Sequence, residues 1–353
     1  MKIGIIGLPG SGKTTIFSSL THVNAQRNAY ATGKAQPSRA MIRVMDDRIT
    51  HLSELYQPKK TIYAAVEFID FNGIDQQPDG AWSMSGDAFA IMKNADALAL
   101  VLRNFEDPLT GAPDPMADMR QMEQEFILSD LVICEARLDR IHAGYQRGKK
   151  TDALQKEEKV LKKVIEHLNT EKPVRELELT GEERKCIRGF QLITDKPIMV
   201  IVNSDEERFG GNPDLPAHVE QRYRAIEFAG KFEMELSQLT DEEDVALFMA
   251  DMGIEASARD RLTRMAYETL EYISFFTVGA DEVRAWQLGK GETALGAAAA
   301  IHSDLARGFI RAECFTYADT IQFGSEKTIR ENGRFRLEGK NYVVQDGDIL
   351  SIR

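Results

Sequence analysis

Residues 2–15 read KIGIIGLPGSGKTT, and their reading decides the fold. Lys2 to Ile6 is short, β-rich and apolar at Ile3, Ile5 and Ile6, the pattern of a buried strand. Gly7, Gly12, Lys13 and Thr14 then fit G-x-x-x-x-G-K-[ST] in full. Each residue type has a physical reason to stand there. Glycine lets backbone N–H groups turn inward around phosphate oxygens in torsions that a Cβ resists. Lys13 supplies a cation for the β- and γ-phosphates, and the Thr14 hydroxyl is a ligand for Mg²⁺. The helix expected from Thr14 to about Leu20 aims its positive end at the same anion. Pro9, Gly10, Ser11, Gly12, Lys13, Thr14 and Thr15 are therefore the expected phosphate cradle. A chance match in a Gly-rich turn would lack the strand before the motif and the helix after it.

At 353 residues there is room for two or three domains. A net charge of −12 argues against a wholly nucleic-acid-binding surface, and leaves room for a local basic patch. Cys134, Cys186 and Cys314 are far apart and form no C-x-x-C pair, which speaks against structural zinc and a disulfide framework. The N-terminus is itself a core strand, and no apolar run is long enough to span a bilayer. The expectation is a soluble, cytoplasmic protein with no membrane partner.

Downstream, residues 21–40 read as loop, Met41 to Val44 as a short strand and Asp46 to Tyr56 as a helix with an apolar face. Thr61 to Asp70, TIYAAVEFID, reads as one strand ending in Asp70-Phe71-Asn72-Gly73. This is D-x-x-G, weak alone but in register behind a P-loop. Asp70 then holds the Mg²⁺ hydration shell, and the Gly73 amide approaches the γ-phosphate. Residues 75–86 read as a loop, Asp87 to Asn94 as a helix and Asp96 to Arg103 as a buried strand. Alternating strands and helices predict a doubly wound, mostly parallel α/β sheet with ligands at the strands' C-terminal ends.

Residues 116–170 break that alternation. Met119, Met122, Phe126, Leu131, Cys134, Leu138 and Ile141 recur at three- and four-residue spacing, as do Leu154, Leu161, Val164 and Leu168. Between them lies the polar tip Gly144 to Lys150. The pattern predicts an inserted antiparallel helical hairpin, a coiled coil. Arg137, Arg140, Arg147, Lys149, Lys150, Lys156, Lys159, Lys162 and Lys163 make it locally basic. That is either a solvated helical face or a contact to a phosphate backbone such as RNA.

Lys196 to Val202 is another buried strand and leads into Asn203-Ser204-Asp205-Glu206. Guanine-binding NTPases place N-K-x-D here, so Glu206 in the place of Asp, with Ser204 for Lys, weakens guanine selectivity and admits adenine. Arg222 to Phe228 leads to the last strand of the domain, and Ala229-Gly230-Lys231 is a candidate loop closing over the base. Residues 240–274 read as helical. From Phe275 on, short β-like runs surround one helix near Thr293 to His302, in the element order of a ubiquitin-like α+β domain. His302 with Asp304 reads as a helix cap rather than an acid–base couple.

These residues together resemble the YchF/Obg-like ATPase family of translation-factor-class P-loop NTPases over essentially the whole chain. The resemblance is strongest in FFTVGADEVRAW (275–286), IHSDLARGFIRAE (301–313) and RLEGKNYVVQDGDI (336–349), which are similar to the family's TGS domain. GLPGSGKTT is similar to the family's P-loop, with Gly10-Ser11 where an Asn is usual. Asn203 to Glu206 matches the N-x-x-E by which the family is implied to prefer ATP over GTP. Ile74 stands where Ras-like GTPases put a water-positioning Gln, and an apolar residue there is the family's pattern. Three departures mark a divergent paralogue. Lys34-Ala35-Gln36-Pro37-Ser38 replaces the first-switch T-I-E-P-N and its metal-facing Thr. The loop after Gly73 has lost most of its glycines. RNFED (103–107) is kept, but PLTGAPDP follows without the family's His.

The expected organisation is a P-loop NTPase domain at 1–115 and 186–274, a helical insertion at 116–185 and a TGS domain at 275–353. The expected function is Mg²⁺-dependent binding of ATP, or of GTP, with slow hydrolysis. Lys13, Asp70 and Gly73 are the catalytic positions and Thr14 and Asp70 hold the metal. Pro9 to Thr15 bind phosphate, and Asn203 and Glu206 contact the base. The resemblance implies ribosome or RNA association through the coiled coil and the TGS domain, with no DNA sequence specificity. A nucleotide-gated adaptor without useful turnover and a GTPase stand as alternatives.

Overall fold

Two runs in this chain, ALALVLRN (97–104) and IMVIVNS (198–204), have no exposed residue, as expected of the central strands of a parallel sheet covered on both faces. The computed structural model describes residues 1–21, 38–70, 74–76, 82–84, 86–108, 111–212, 214–239 and 241–353.

In chain order the first elements are β1 (Lys2–Ile6), α1 (Lys13–Thr21), β2 (Ser38–Arg43), α2 (Asp47–Tyr56), β3 (Lys60–Ile62) and β4 (Ala65–Asp70). β5 (Ile74–Gln76), β6 (Trp82–Met84), α3 (Gly86–Asn94) and β7 (Ala97–Asn104) come next. The long helix α4 (Pro115–Gln146) and its partner α5 (Asp152–Leu168) follow, then α6 (Gly181–Ile187), β8 (Ile198–Ser204), α7 (Asp214–Glu220) and β9 (Arg224–Ala229). After α8 (Gly230–Leu236), α9 (Glu242–Asp251) and α10 (Ala258–Thr269), the chain turns to β10 (Tyr272–Thr277) and β11 (Glu282–Gly289). It ends with α11 (Ala294–Ile301), α12 (Ser303–Arg307), β12 (Ala312–Thr316), α13 (Tyr317–Phe323), α14 (Glu326–Glu331), β13 (Arg336–Glu338) and β14 (Asp348–Ile352).

The chain divides into two units, one made of Lys2–Ala40 and Phe68–Ala258, the other of Met1, Met41–Glu67 and Arg259–Arg353. The first is built on a sheet of order β2-β4-β1-β7-β8-β9, in which β1, β7, β8 and β9 run parallel. Leu98, Leu100, Leu102, Val200 and Val202 are packed by Met92 of α3 and by Met119, Met122 and Phe126 of α4. Farther along, Cys134 and Ile141 of α4 pack instead with Val160, Leu161, Val164 and Leu168 of α5. One helix therefore serves both the sheet and the hairpin, so the expected insertion boundary at 116 does not separate two bodies. Asp130, fully buried on α4, accepts from the N–H groups of Ile193 and Thr194 at 3.0 and 2.7 Å and fastens the hairpin to the segment entering β8. Asp114 caps α4 ahead of Pro115, and Thr151 caps α5, which fixes where the hairpin turns.

The second unit carries a sheet of order β13-β12-β14-β10-β11-β3. Here the structure corrects the sequence reading. Thr61 to Asp70 is not one strand: it breaks at Tyr63-Ala64, and β3 pairs with β11 while β4 joins the first sheet. Residues 41–67, expected in the nucleotide domain, belong to the C-terminal unit. The apolar face of α2 explains this, because Ile49 and Leu52 are buried among Phe276, Val283, Ala285 and Phe315. Arg48 adds ion pairs to Asp46 at 2.8 Å and Asp346 at 2.6 Å. α10, also expected in the nucleotide domain, falls in this unit from Arg259 on. Other expectations shift locally. Residues 74–84 contain the small hairpin β5–β6 rather than loop alone. Tyr342 to Val344 forms only an isolated bridge to Thr293, and α12, α13 and α14 add helices to the single one expected. His302 does act as a cap, accepting from the Asp304 N–H at 3.2 Å. The three cysteines are thiols. Among the described residues no helix is long and apolar enough to cross a membrane.

Candidate functional site

The C-terminal ends of β1, β4, β7, β8 and β9 carry the site residues. β1 ends at Ile6, and the chain turns through Gly7 to Gly12 into α1, whose first residue is Lys13. Gly10 and Gly12 have φ of +79° and +87°, which an L side chain resists. At Gly12 a Cβ would also collide with the Asn203 side chain. The Ser11 N–H is committed to the Leu8 carbonyl at 3.2 Å, and the Ser11 hydroxyl is buried with no hydrogen-bond partner among the described residues. Pro9 and Gly10 are exposed at the rim, and Thr14 and Thr15 are partly so.

Lys13 is only 9% exposed and folds back over its own loop, donating to the Gly7 and Leu8 carbonyls at 2.9 and 3.0 Å. Burial pulls its ammonium down to about 8, against the pull of the nearby Asp70 carboxylate. Asp70 closes β4 at 4% exposure and accepts from the Thr14 hydroxyl at 3.1 Å. Burial raises its carboxyl, opposed by that hydrogen bond and by Lys13. Its second oxygen is buried with no hydrogen-bond partner among the described residues.

That orphaned oxygen beside the Thr14 hydroxyl is a hard-oxygen pair of the kind Mg²⁺ uses while keeping waters and phosphate oxygens for its other positions. The residues present fit the ion. Among the described residues no three His, Cys, Asp or Glu side chains gather as a metal cage, and a triphosphate-bound Mg²⁺ needs none. Gly73, expected beside the γ-phosphate, and the first-switch stretch 34–37 lie outside the described residues.

The opposite end of the cradle is held by Asn203, 3% exposed. Its Nδ2 donates to the Ser11 carbonyl at 2.9 Å and its Oδ1 accepts from the Gly230 N–H at 3.2 Å. Asn203, expected at the base, thus spends both ends of its amide on the Ser11 carbonyl and the Gly230 N–H. Gly230 is not in a closing loop as expected: it begins α8 directly after β9, since β-structure runs through Ala229. Glu206 lies two residues past β8 and is exposed.

Sequence reasoning missed the polar residues that hold this end. Arg103, 8% exposed, donates to the carbonyls of Phe105, Gly111 and Ala112 at 2.8, 2.7 and 3.2 Å and pins the loop after β7. Asn104 donates to the Ser204 hydroxyl at 2.8 Å, and that hydroxyl donates to Glu227. Their signal was available: a polar side chain ending a run of buried apolar residues must be satisfied there.

Comparison with known proteins gives a consistent picture. Residues 2–135 match a family described as 50S ribosome-binding GTPase. Residues 272–353 match the YchF GTPase C-terminal family, described as a protein of unknown function (DUF933). The ribosome-binding ATPase YchF of Bacillus subtilis (strain 168) is 36% identical, covering 100% of this chain and 99% of the relative. Its namesake in Haemophilus influenzae is 35% identical, covering 100% and 98%. The solved structure of the Schizosaccharomyces pombe YchF GTPase superposes with a TM-score of 0.84 at 27% identity, covering 100% of this chain and 97% of that one.

Proposed function

The chain belongs to the YchF family, and on that premise we propose that it binds a purine nucleoside triphosphate with Mg²⁺, takes ATP in preference to GTP, hydrolyses it slowly and works with the ribosome in the cytoplasm. One observation carries the nucleotide part. Asp70, 56 residues on in sequence, meets the Lys13-Thr14 pair at the mouth of a glycine cradle, with Thr14 and Asp70 3.1 Å apart.

The geometry supports the following roles. Lys13 exchanges the Gly7 and Leu8 carbonyls for phosphate oxygens and meets the charge that develops on the transferred group. The N–H groups of Gly10 and of Gly12 to Thr15 surround the phosphates. Thr14 and Asp70 would hold Mg²⁺, which would supply positive charge against the phosphates. Catalysis is positioning and charge stabilisation, with no covalent intermediate on the protein. Asn203 fixes the cradle against β9–α8, and the Glu206 carboxylate accepts from the base, which suits the adenine amino group.

The curated relatives are named ribosome-binding ATPases, which supports a ribosomal partner here. On the hairpin, Arg137, Lys162 and Lys163 are spent on Glu157, Glu158 and Glu183. Arg147, Lys149 and Lys150 at the tip are exposed. The tip is therefore the part of the coiled coil assigned to phosphate backbone.

Calorimetry of ATP against GTP with Mg²⁺, phosphate release over hours, and ribosome co-sedimentation in each nucleotide state test the reading. Tighter GTP binding overturns the ATP assignment, and failure to co-sediment in every state overturns the ribosomal one. The second reading, a nucleotide-gated binding protein with little turnover, is favoured by the loop after β7. FEDPLTGA (105–112) carries no His, and Arg103 holds the carbonyls of Phe105, Gly111 and Ala112. ATP binding without phosphate release, with ribosomes present, selects that reading.

A further inference from the structure

Three polar side chains of β7, β8 and β9, apart from the residues assigned to phosphate and base, form one chain of hydrogen bonds. Asn104, 8% exposed, lies directly opposite Ser204 in the parallel register and donates to its hydroxyl at 2.8 Å. Ser204 is 2% exposed and donates a hydrogen bond from its own hydroxyl to Oε1 of Glu227. In the next register Ser204 faces Ala229 and Val202 faces Glu227, so the two side chains meet diagonally on one face of the sheet. The other oxygen of Glu227 accepts from the Gly210 N–H at 3.1 Å.

Ser204 and Gly210 are the two ends of one turn. Inside it, Asp205 accepts from the Arg208 N–H at 2.9 Å through its side chain and from the Phe209 N–H at 2.9 Å through its carbonyl. Arg208 closes the outer side on Asp205 at 2.7 Å and Glu106 at 2.9 Å. Glu206 sits within this turn, exposed and held only through its neighbours' contacts.

We propose that Glu227 is a positioning residue for base recognition: by accepting from Ser204 and Gly210 at once, its carboxylate closes the Asp205–Phe209 turn at both ends and sets where Glu206 meets the base. The proposal rests on the reading of Glu206 given above. A carboxylate is needed because it alone offers two acceptor oxygens at this separation with no competing donor. Removing it leaves the Ser204 hydroxyl and the Gly210 amide to find other partners, and the turn then samples more than one arrangement.

The test is calorimetry on the full chain with Mg²⁺ and three probes: ATP, GTP and inorganic tripolyphosphate. The variants are Glu227→Ala, Glu227→Gln, Ser204→Ala and Glu206→Ala. Glu227→Ala is expected to weaken ATP roughly tenfold, as for a lost pair of hydrogen bonds to a charged group. The ATP-to-GTP ratio should move toward one, and tripolyphosphate affinity should stay unchanged. Glu227→Gln keeps an acceptor for Gly210 and should recover part of the loss, while Ser204→Ala should lose part of it in the same sense. These two carry the comparison if Glu227→Ala does not fold. A parallel fall in ATP and tripolyphosphate overturns the proposal, because the damage is then general. An unchanged ratio in the Glu227 variants, with a changed one in Glu206→Ala, overturns it while the base reading stands. An unchanged ratio in Glu206→Ala as well removes the base reading and the proposal together.

Discussion

The phosphate end and the base end of this site are built in opposite ways. Residues 7–14 form one continuous stretch that offers backbone amides, one lysine and one hydroxyl, and Asp70 joins them from the end of β4. The base end is assembled from three strands, where Asn104 is brought to Ser204 across 100 residues and Glu227 across 23, beside Asn203. The first kind of site is fixed by spacing and tolerates little variation. The second is fixed by the sheet, and its chemistry is free to drift as long as each buried polar group finds a partner.

The sharpest way to break that contrast is at Lys13. Lys13→Ala removes the cation of the cradle, and ATP, GTP and tripolyphosphate should all lose about 100-fold in affinity, the size expected of a desolvated charge-assisted contact. Calorimetry reads it directly. A loss confined to one nucleotide would mean that the two ends are not separate. Asn203→Ala comes next, because Asn203 bonds both Ser11 and Gly230. It frees the Ser11 carbonyl and the Gly230 amide, and about 30-fold weaker binding of ATP and GTP alike is expected, with a smaller loss for tripolyphosphate. If tripolyphosphate binding is untouched, Asn203 belongs wholly to the base end.

The same contrast explains what the sequence made legible. The P-loop, Asp70 and Asn203 could be placed because motif spacing encodes them, and β7 and β8 because central parallel strands are apolar throughout. Residues 61–70 misled because both halves are β-prone. The break at Tyr63-Ala64, which sends β3 to one sheet and β4 to another, depends on where Ile49 and Leu52 find apolar partners, and those lie more than two hundred residues away. Likewise nothing local distinguishes Glu227 from a solvated strand residue. Its role comes from the register that sets Ser204 beside it.

A pH titration probes the phosphate end alone. In the absence of nucleotide, burial leaves the Lys13 ammonium titrating near 8, and bound phosphates favour the charged form. Raising the pH from 7 to 9 should therefore weaken tripolyphosphate binding in EDTA by about tenfold, since the lysine must first regain a proton. The empty protein should move the other way. Its folded lysine binds fewer protons than the unfolded one between about 8 and the ordinary 10.5, so this group's contribution to stability rises with pH across that window and is least below it. Thermal unfolding with and without tripolyphosphate separates the two trends, and Lys13→Met should abolish both.

The smallest expected effect belongs to Glu206 itself. Converting the motif to N-K-x-D by Ser204→Lys would drive an ammonium into the buried contact between Asn104 and Glu227, so that change would report on the network and not on the base. Glu206→Asp is the cleaner test: it keeps the charge, shortens the reach by one methylene and leaves Ser204 and Glu227 in place. The ATP-to-GTP preference should shift toward GTP by about three- to fivefold, less than the loss from removing a whole interaction, because the turn that presents the carboxylate is unchanged. Tripolyphosphate binding should not move. A shift as large as that of Glu206→Ala would show that reach alone sets the preference, and that the phosphate end contributes affinity without discrimination.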